Sequence, residues 1–516
     1  MMKCEGHVIG IDAGTDAIAV LVVGTDGCVL GTGDEKVALI KGDDGSRMQD
    51  PQDWKRALKA ALAEAYAEVR RNFIHSDPGP CLAICPSGQM HGLGMRFGDA
   101  GFKEHVRLWC DAGSGAEAEE LTKLFDHHVA QRLLISRWLE TIRKHPALAA
   151  QVDFLTVPSG IIACMLDPNV RSLGYGDACG ALPVNPETGE YYPEMIAKFN
   201  ELTRQAGTAP IQTLLPRPVM VGDIVGTVNE ETAQFFGLTP GIPIVSPEGD
   251  QPTTIAGCRV SRPGQVSFSG GTSCCFNLVT DQDFYGRHPG IEPFVTADGK
   301  RFCMAHIQNG TPPMNTIVES YGGSFEELML AAATAPVDCG GLIIVPTVDP
   351  EHGLSLPDKA RAAIFNWRPD NYLPGNLARA AFTGSMFSAL YSVQALRLQN
   401  IMADEIVVSG GIAQSDWTLQ AIADVFATPV KVWDDAAQGS AYGAALMALY
   451  RQRLQTLDEG KELAWPQFLE SMRPQSYRTF QPIRENVATC QGMFRTFRTL
   501  IDSGFVKALN RVPWIA

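Results

Sequence analysis

Positive charge is scarce in this 516-residue chain: 42 Lys and Arg stand against 57 Asp and Glu, for a formal net charge of −15. An acidic surface repels nucleic acid and anionic membranes, so neither is expected as a partner. Long apolar runs are missing too. No stretch reaches the ~18 uninterrupted apolar residues of a membrane span, and Asp12 and Asp16 break the best candidate. The opening MMKCEGHVIG is too short and too weakly basic for a secretory leader, and no small-residue cleavage site follows it. None of the 13 cysteines forms a Cys-x-x-Cys pair, which argues against a zinc ribbon or a thioredoxin-like site. They sit mostly in apolar runs such as CLAIC and SCCFNL, as expected for reduced thiols of a cytoplasmic protein. Neither a G-x-x-x-x-G-K-[ST] loop nor a G-x-G-x-x-G fingerprint follows an expected strand, so those two nucleotide folds lose support.

What remains is a globular composition, 45% hydrophobic and 19% charged, on a chain long enough for two or more domains. Residues 8–12 and 17–23 read as strands, with GTDG (24–27) turning into a third near Val29. Residues 51–71 carry apolar residues at helical spacing, and CLAIC (81–85) reads as a buried strand leading into the loop SGQMHG (87–92). Helices are expected over about 114–125, 131–144 and 158–166, then a Gly- and Pro-rich connector over 174–192. The pattern restarts near 241–257. FSGGTSCCFNLV beneath IDAGTDAIAVLV places Gly271-Thr272 over Gly14-Thr15, a weak internal repeat that implies two similar domains, each opening with a hairpin. EIVVSGGIAQS (405–415) adds a strand and a Gly-Gly loop, and 439–454 a small-residue helix suited to close packing. Strands alternating with helices predict an α/β class with largely parallel sheets.

The turns DAGTD and SGGTS can grip phosphate, because glycine lets backbone N–H groups approach an anion and Thr or Ser hydroxyls add donors. Asp12, at a strand end beside the first turn, suits either Mg²⁺ or a turn-stabilising side-chain bond. Asp250 follows the strand IPIVS and precedes a small-residue helix; that place suits either a helix cap or a base accepting a proton from a hydroxyl. Gln89, Met90 and His91 lie on the SGQMHG loop, and His91 can hydrogen-bond a polyol. Asp111 and Asp177 are placed in further loops.

In order along the chain, GIDAGT, SGQMHG, LWCDAGS, GDACGA, EGDQ, SGGTS and SGGIAQS resemble the motifs of the FGGY family of carbohydrate kinases. SGQMHG is the same six residues that its xylulose-specific members carry. The likeness runs from about residue 8 to 450. It implies an actin-like, RNase H-type fold duplicated into two domains, divided here as 1–257 and 258–516, with ATP and sugar in the cleft between them. It further implies transfer of the γ-phosphoryl group of ATP, with Mg²⁺, to a hydroxyl of a ketose, D-xylulose fitting the loop best. Sedoheptulose, ribulose, gluconate and glycerol are the rival acceptors. A non-catalytic nucleotide or sugar sensor is the alternative of another class, disfavoured by retention of both Asp12 and Asp250.

Carried over by motif, Asp250 is the general base and Gln251 a sugar contact, with Gln89, Met90, His91 and Asp111 about the sugar. Asp12 organises the metal. Gly14, Thr15, Gly271, Thr272 and Ser273 hold phosphates, while Gly410, Gly411 and Ser415 receive adenosine. The chain departs from the family in four places: Asp16 stands where Thr or Ser is usual, Ala19 where a basic residue is common, Gly113 where the sugar-loop motif has Arg, and VDPEHGLSLP (348–357) where Glu-Arg-Thr-Pro is common. The tail 491–509 is expected to be helical, packing on the second domain or mediating a homodimer.

Overall fold

A computed structural model describes residues 6–73, 78–111, 113–286, 288–356, 361–435, 439–458 and 460–509. Residues 1–5 of the opening stretch, 112 of LWCDAGS and 357 of VDPEHGLSLP lie outside the described residues. The chain divides into two compact units. The first comprises Met1–Ser261, Val295–Lys300 and Gly439–Arg473; the second comprises Arg262–Phe294, Arg301–Gln438 and Pro474–Ala516. A division after residue 257 leaves 439–473 in the C-terminal half, whereas by packing this segment returns to the first unit.

In the first unit, β1 (His7–Ala13), β2 (Ala17–Gly24) and β3 (Val29–Lys36) form an antiparallel meander. The runs HVIGIDA and AIAVLVVG are apolar on both faces, as strands covered on both sides must be. Helix α1 (Pro51–Asn72) follows, its N-terminus set by Asp50, whose side chain accepts the Gln52 N–H, and by Pro51. Trp54, Leu58, Ala61, Leu62, Ala65 and Val69 form its buried stripe against β2 and β3. Strand β4 (Cys81–Gly88) pairs parallel with β1. Helices α2 (Gly115–Phe125), α3 (Leu134–Lys144), α4 (Pro158–Leu166) and α5 (Tyr175–Ala181) come next. Strands β5 (Ile224–Thr227) and β6 (Pro243–Val245) complete the order β5-β6-β4-β1-β2-β3, and α6 spans Asp250–Gly257.

The helix Gly439–Gln455 covers the sheet face formed by β1, β2 and β4 and crosses α6. A Cβ on Gly443 would lie 1.7 Å from the Thr253 carbonyl oxygen, so only glycine permits this crossing. Its Ala441, Ala444, Ala445 and Leu446 share a buried cluster with Val8, Leu21 and Cys85.

The second unit repeats the plan. Strands β7 (Gln265–Gly270), β8 (Cys274–Thr280) and β9 (Arg301–Ile307) form the meander, and β10 (Glu405–Gly410) and β11 (Val430–Trp433) add parallel to β7. Strand β12 (Tyr477–Phe480) closes the edge antiparallel, as β5 does in the first unit. The order β9-β8-β7-β10-β11-β12 therefore corresponds to β3-β2-β1-β4-β6-β5 in strand direction, which is the duplicated RNase H-type arrangement, although the edge strand β5 precedes β6 in the chain whereas β12 follows β11. The hairpins differ by one residue. Ala13 pairs Ile18 across four loop residues, whereas Gly270 pairs Cys274 across three.

Helix α7 (Pro374–Arg397) is the central helix of this core, and α8 (Asp416–Phe426) follows the Gly410-Gly411 loop. Helix α9 (Arg484–Asp502) buries Cys490, Phe494, Phe497 and Ile501 in the same core, so the tail is committed within this unit. Among the described residues no helix is long and apolar enough to cross a membrane.

Candidate active site

At one end of the first sheet, α6 follows the short strand Glu248–Gly249, which pairs with the end of β4 a few residues beyond β6. Gly249 holds the cap position of α6 without a side-chain bond, and Asp250 is its first helical residue. Asp250 is thus not a cap. Its Oδ1 accepts the Met90 N–H at 3.3 Å. Burial, reinforced by the charge of Asp12, pushes its carboxyl up to about 7.

Asp12, at the end of β1, accepts a hydrogen bond from the Ser440 hydroxyl through Oδ2, while Oδ1 is buried with no partner. Its carboxyl is raised by burial and held back by Ser440. A lone-paired oxygen without a donor fits Mg²⁺, which keeps several waters and takes one or two carboxylates together with substrate phosphates. Among the described residues no group of three or more His, Cys, Asp or Glu is placed to hold a metal by itself.

Asp177 is not in a loop. It lies in α5, fully buried, accepting from the Ser159 hydroxyl while its Oδ1 has no partner. Burial and the charges of Glu248 and Asp250 raise it well above the usual carboxylate range. Glu248, also fully buried, accepts from the Gly249 N–H at 3.0 Å and the Gly176 N–H at 3.2 Å, and burial pushes it up to about 7. The first part of the expected connector is therefore a helix, whose Asp177 joins Glu248 as a second buried carboxylate near Asp250. Met90 and His91 are buried at 4% and 2% exposure, His91 with φ of 69°.

Two residues expected about the sugar are engaged elsewhere. The Gln89 amide is spent on the first turn: Nε2 donates to Gln49 Oε1 (3.0 Å) and the Gly14 carbonyl (3.4 Å), and Oε1 accepts from Thr15 Oγ1 (3.2 Å). The Thr15 hydroxyl also accepts from Trp109 Nε1 at 3.1 Å. Asp111 is 2% exposed and held by Arg107 Nη2 at 2.6 Å, the Arg47 N–H at 3.0 Å and the Gly113 N–H at 3.1 Å. Against the effect of burial, Arg107 keeps Asp111 below the usual carboxylate range. Arg107 Nη1 pairs Glu140 at 2.6 Å. Its guanidinium fills the space of the absent side chain at 113, where a Cβ would sit 2.4 Å from Nη2.

In the second unit, the turn Gly271-Thr272-Ser273 joins β7 to β8, with Thr272 exposed. Gly410, with φ of 79°, ends β10 beside Gly270; Gly411 is exposed, and Ser415 precedes α8. Behind the turn, Glu351 is 3% exposed and burial pushes its carboxyl up to about 7. Gln49, Glu248, Glu351 and Ser440 were not picked out as site residues by the sequence; Glu248 stood inside EGDQ, Glu351 inside VDPEHGLSLP and Ser440 at the start of the small-residue helix, whereas Gln49 stood in no stretch singled out.

Comparison with known proteins agrees with this architecture. Residues 7–257 match the N-terminal domain of the FGGY family of carbohydrate kinases, and residues 266–451 match its C-terminal domain. A xylulose kinase of Haemophilus influenzae is 26% identical over 453 residues, 86% of this chain and 90% of its own length. A xyloylose kinase structure from Brucella ovis superposes with a TM-score of 0.81 at 19% identity, covering 98% of this chain and 100% of that one. Glycerol kinase of Plasmodium falciparum with ADP does so at 0.80 and 15% identity over the whole of both chains. Both structural likenesses speak for the fold. This chain belongs to the FGGY family of carbohydrate kinases and is an ATP-dependent, xylulokinase-like sugar kinase.

Proposed function

We propose that the enzyme phosphorylates D-xylulose to D-xylulose 5-phosphate. The observation that carries the chemistry is Asp250: a carboxylate at a helix start, raised to about 7 and oriented by the Met90 N–H. A base of that basicity is poised to take a proton from an alcohol near neutrality. Asp250 accepts the proton of the acceptor hydroxyl as its oxygen bonds to the γ-phosphorus. The bond from that phosphorus to the β,γ-bridging oxygen breaks, its electron pair leaving on ADP, and the proton passes from Asp250 to solvent afterwards. The Gly14-Thr15 and Gly271-Thr272-Ser273 turns hold phosphate oxygens, and Gly410, Gly411 and Ser415 receive adenosine. Asp12 holds Mg²⁺, which supplies neutralisation of phosphate charge. Phosphoryl transfer is mainly positioning and charge stabilisation, so this set is sufficient.

Met90, His91 and Gln251 contact the sugar. The choice of D-xylulose rests on SGQMHG and on the xylulose kinases among the relatives. A cytoplasmic location is supported by the cysteines, most of which lie buried in apolar runs such as CLAIC and SCCFNL. ADP release with D-xylulose, D-ribulose, sedoheptulose, gluconate and glycerol tests the reading. D-xylulose is expected to give the highest kcat/KM; a higher value for any other acceptor overturns it.

A further inference from the structure

Each glycine turn has its two carbonyls tied down from behind. In the first unit, the Gly14 carbonyl accepts from Gln89 Nε2 at 3.4 Å and the Thr15 carbonyl from Gln49 Nε2 at 2.8 Å. Gln49 is fully buried and uses its remaining oxygen on Trp54 Nε1 and Gln89 Nε2, at 3.2 and 3.0 Å. In the second unit, the Gly271 carbonyl accepts from the Thr311 N–H and the Thr272 carbonyl from the Gly310 N–H, both at 3.1 Å. The approach of that segment requires glycine, since a Cβ on Gly310 would lie 2.5 Å from the Gly271 oxygen.

Segment 308–311 is anchored in turn by Glu351. Its Oε2 accepts from the Asn309 N–H at 3.2 Å and Asn309 Nδ2 at 3.0 Å, and its Oε1 from the Gln308 N–H at 3.4 Å. Ser385 Oγ fixes the Asn309 carbonyl at 2.5 Å.

In a trans peptide the C=O of one residue and the N–H of the next point in opposite directions, and no described peptide bond is cis. Pinning the carbonyls of Gly14 and Thr15 turns the N–H groups of Thr15 and Asp16 to the other side. Pinning those of Gly271 and Thr272 does the same for Thr272 and Ser273. The positions correspond under the alignment of the two hairpins, yet the devices differ: two side-chain amides in one unit, a tethered backbone segment in the other. We propose that Gln49 with Gln89, and Glu351 acting through Asn309 and Gly310, are positioning residues that hold the two turns with paired backbone N–H donors facing the nucleotide phosphates. The inference rests on the reading of both turns as phosphate sites. It gives a use to the PEHG stretch, which the family motif leaves unexplained here, and assigns Asp16 its backbone N–H as the contributing group.

The test is the affinity of the whole enzyme for ADP and for adenosine, with KM for the sugar beside them, in wild type, Gln49→Met and Glu351→Gln. Gln49→Met removes the donor to Thr15 at similar volume; Glu351→Gln keeps the shape but replaces an acceptor by a donor facing N–H groups. Wild type is expected to bind ADP far more tightly than adenosine. Each variant should lose about 10–100-fold in ADP affinity, as expected for misdirected charge-assisted hydrogen bonds, with adenosine affinity and sugar KM within about twofold. A general structural defect would weaken all three together, which refutes the positioning role. Wild type binding ADP and adenosine equally overturns the phosphate reading and this inference with it. Wild-type discrimination preserved in both variants overturns the inference alone.

Discussion

Replacing Asp250 by Asn separates the two consequences of burying a base. The rise of its carboxyl from 3.8 to about 7 corresponds to a penalty of about 4 kcal/mol on the ionised form. Relaxation and water entry reduce what is realised, so about 2–4 kcal/mol is expected. The sign follows from linkage: a carboxyl raised on folding leaves stability intact below the unfolded value near 4. Stability is then lost as pH climbs from there to about 7, with the full cost present above. Asp250→Asn keeps the size and removes the charge. It should therefore raise the unfolding midpoint by several degrees at pH 8 and leave it nearly unchanged at pH 4. The same variant should lose at least ~100-fold in kcat, because the amide accepts no proton. In the wild type, kcat/KM should fall about tenfold per pH unit below about 7. Thermal unfolding at both pH values, with sugar-dependent ADP release across pH 5.5–8.5, reads all of this. A variant that is no more stable at pH 8 than wild type refutes the assigned burial cost. A variant that retains activity refutes the base.

Gly443→Ala should destabilise by at least ~1–3 kcal/mol, the cost of forcing atoms into a packed contact, because its Cβ would meet Thr253 at 1.7 Å. An unchanged denaturant midpoint would show that the helix crossing tolerates the group. Arg107→Met should remove the cation shared by Asp111 and Glu140, leaving Asp111 with backbone N–H donors and Glu140 with Lys144 and Ser114, and should cost at most ~3–5 kcal/mol at pH 7. Against burial, Lys144, Ser114 and Arg107 hold Glu140 down to about 2. Its contribution is present above the unfolded value near 4.5 and fades as pH falls toward 2. The gap between variant and wild type in chemical denaturation should therefore narrow at low pH; a gap that is constant with pH would mean that the ion pairs are not its source.

The sheet cores were legible because their strands are covered on both faces, and IGIDA, AIAVLVV and VSFSGG leave nothing else for such runs to be. Helix α1 showed itself by the helical spacing of its apolar residues. Helix α5 did not, since YGDACGA carries two glycines and little intrinsic helicity; its helix is held by burial and by Glu248 on the Gly176 N–H. Chain order also hid the return of 439–473 to the first unit. The small residues of GSAYGAAL announced a close contact, but spacing alone names no partner for it. Equal flanks around the two Gly-Thr turns suggested equal hairpins, yet a one-residue difference in pairing was invisible because register is set by the turn.

The candidate site divided along the same line. Asp12, Asp250 and both turns sit inside motifs, so residue type and neighbours pointed to them. Gln49 is a single polar residue in an unremarkable stretch, and Glu351 stands in one noted only for departing from the family motif; only their placement behind a turn gives them meaning. Asp16 falls between these cases. Its side chain is exposed and its neighbour Asp12 lies half-buried with a bare oxygen, so the two carboxylates of DAGTD do different work. Where the Thr15 carbonyl is tied to Gln49, the following N–H is already aimed, whatever side chain follows it. A position that contributes its backbone tolerates Asp where relatives carry a hydroxyl, provided that the carboxylate stays in solvent, as it does here.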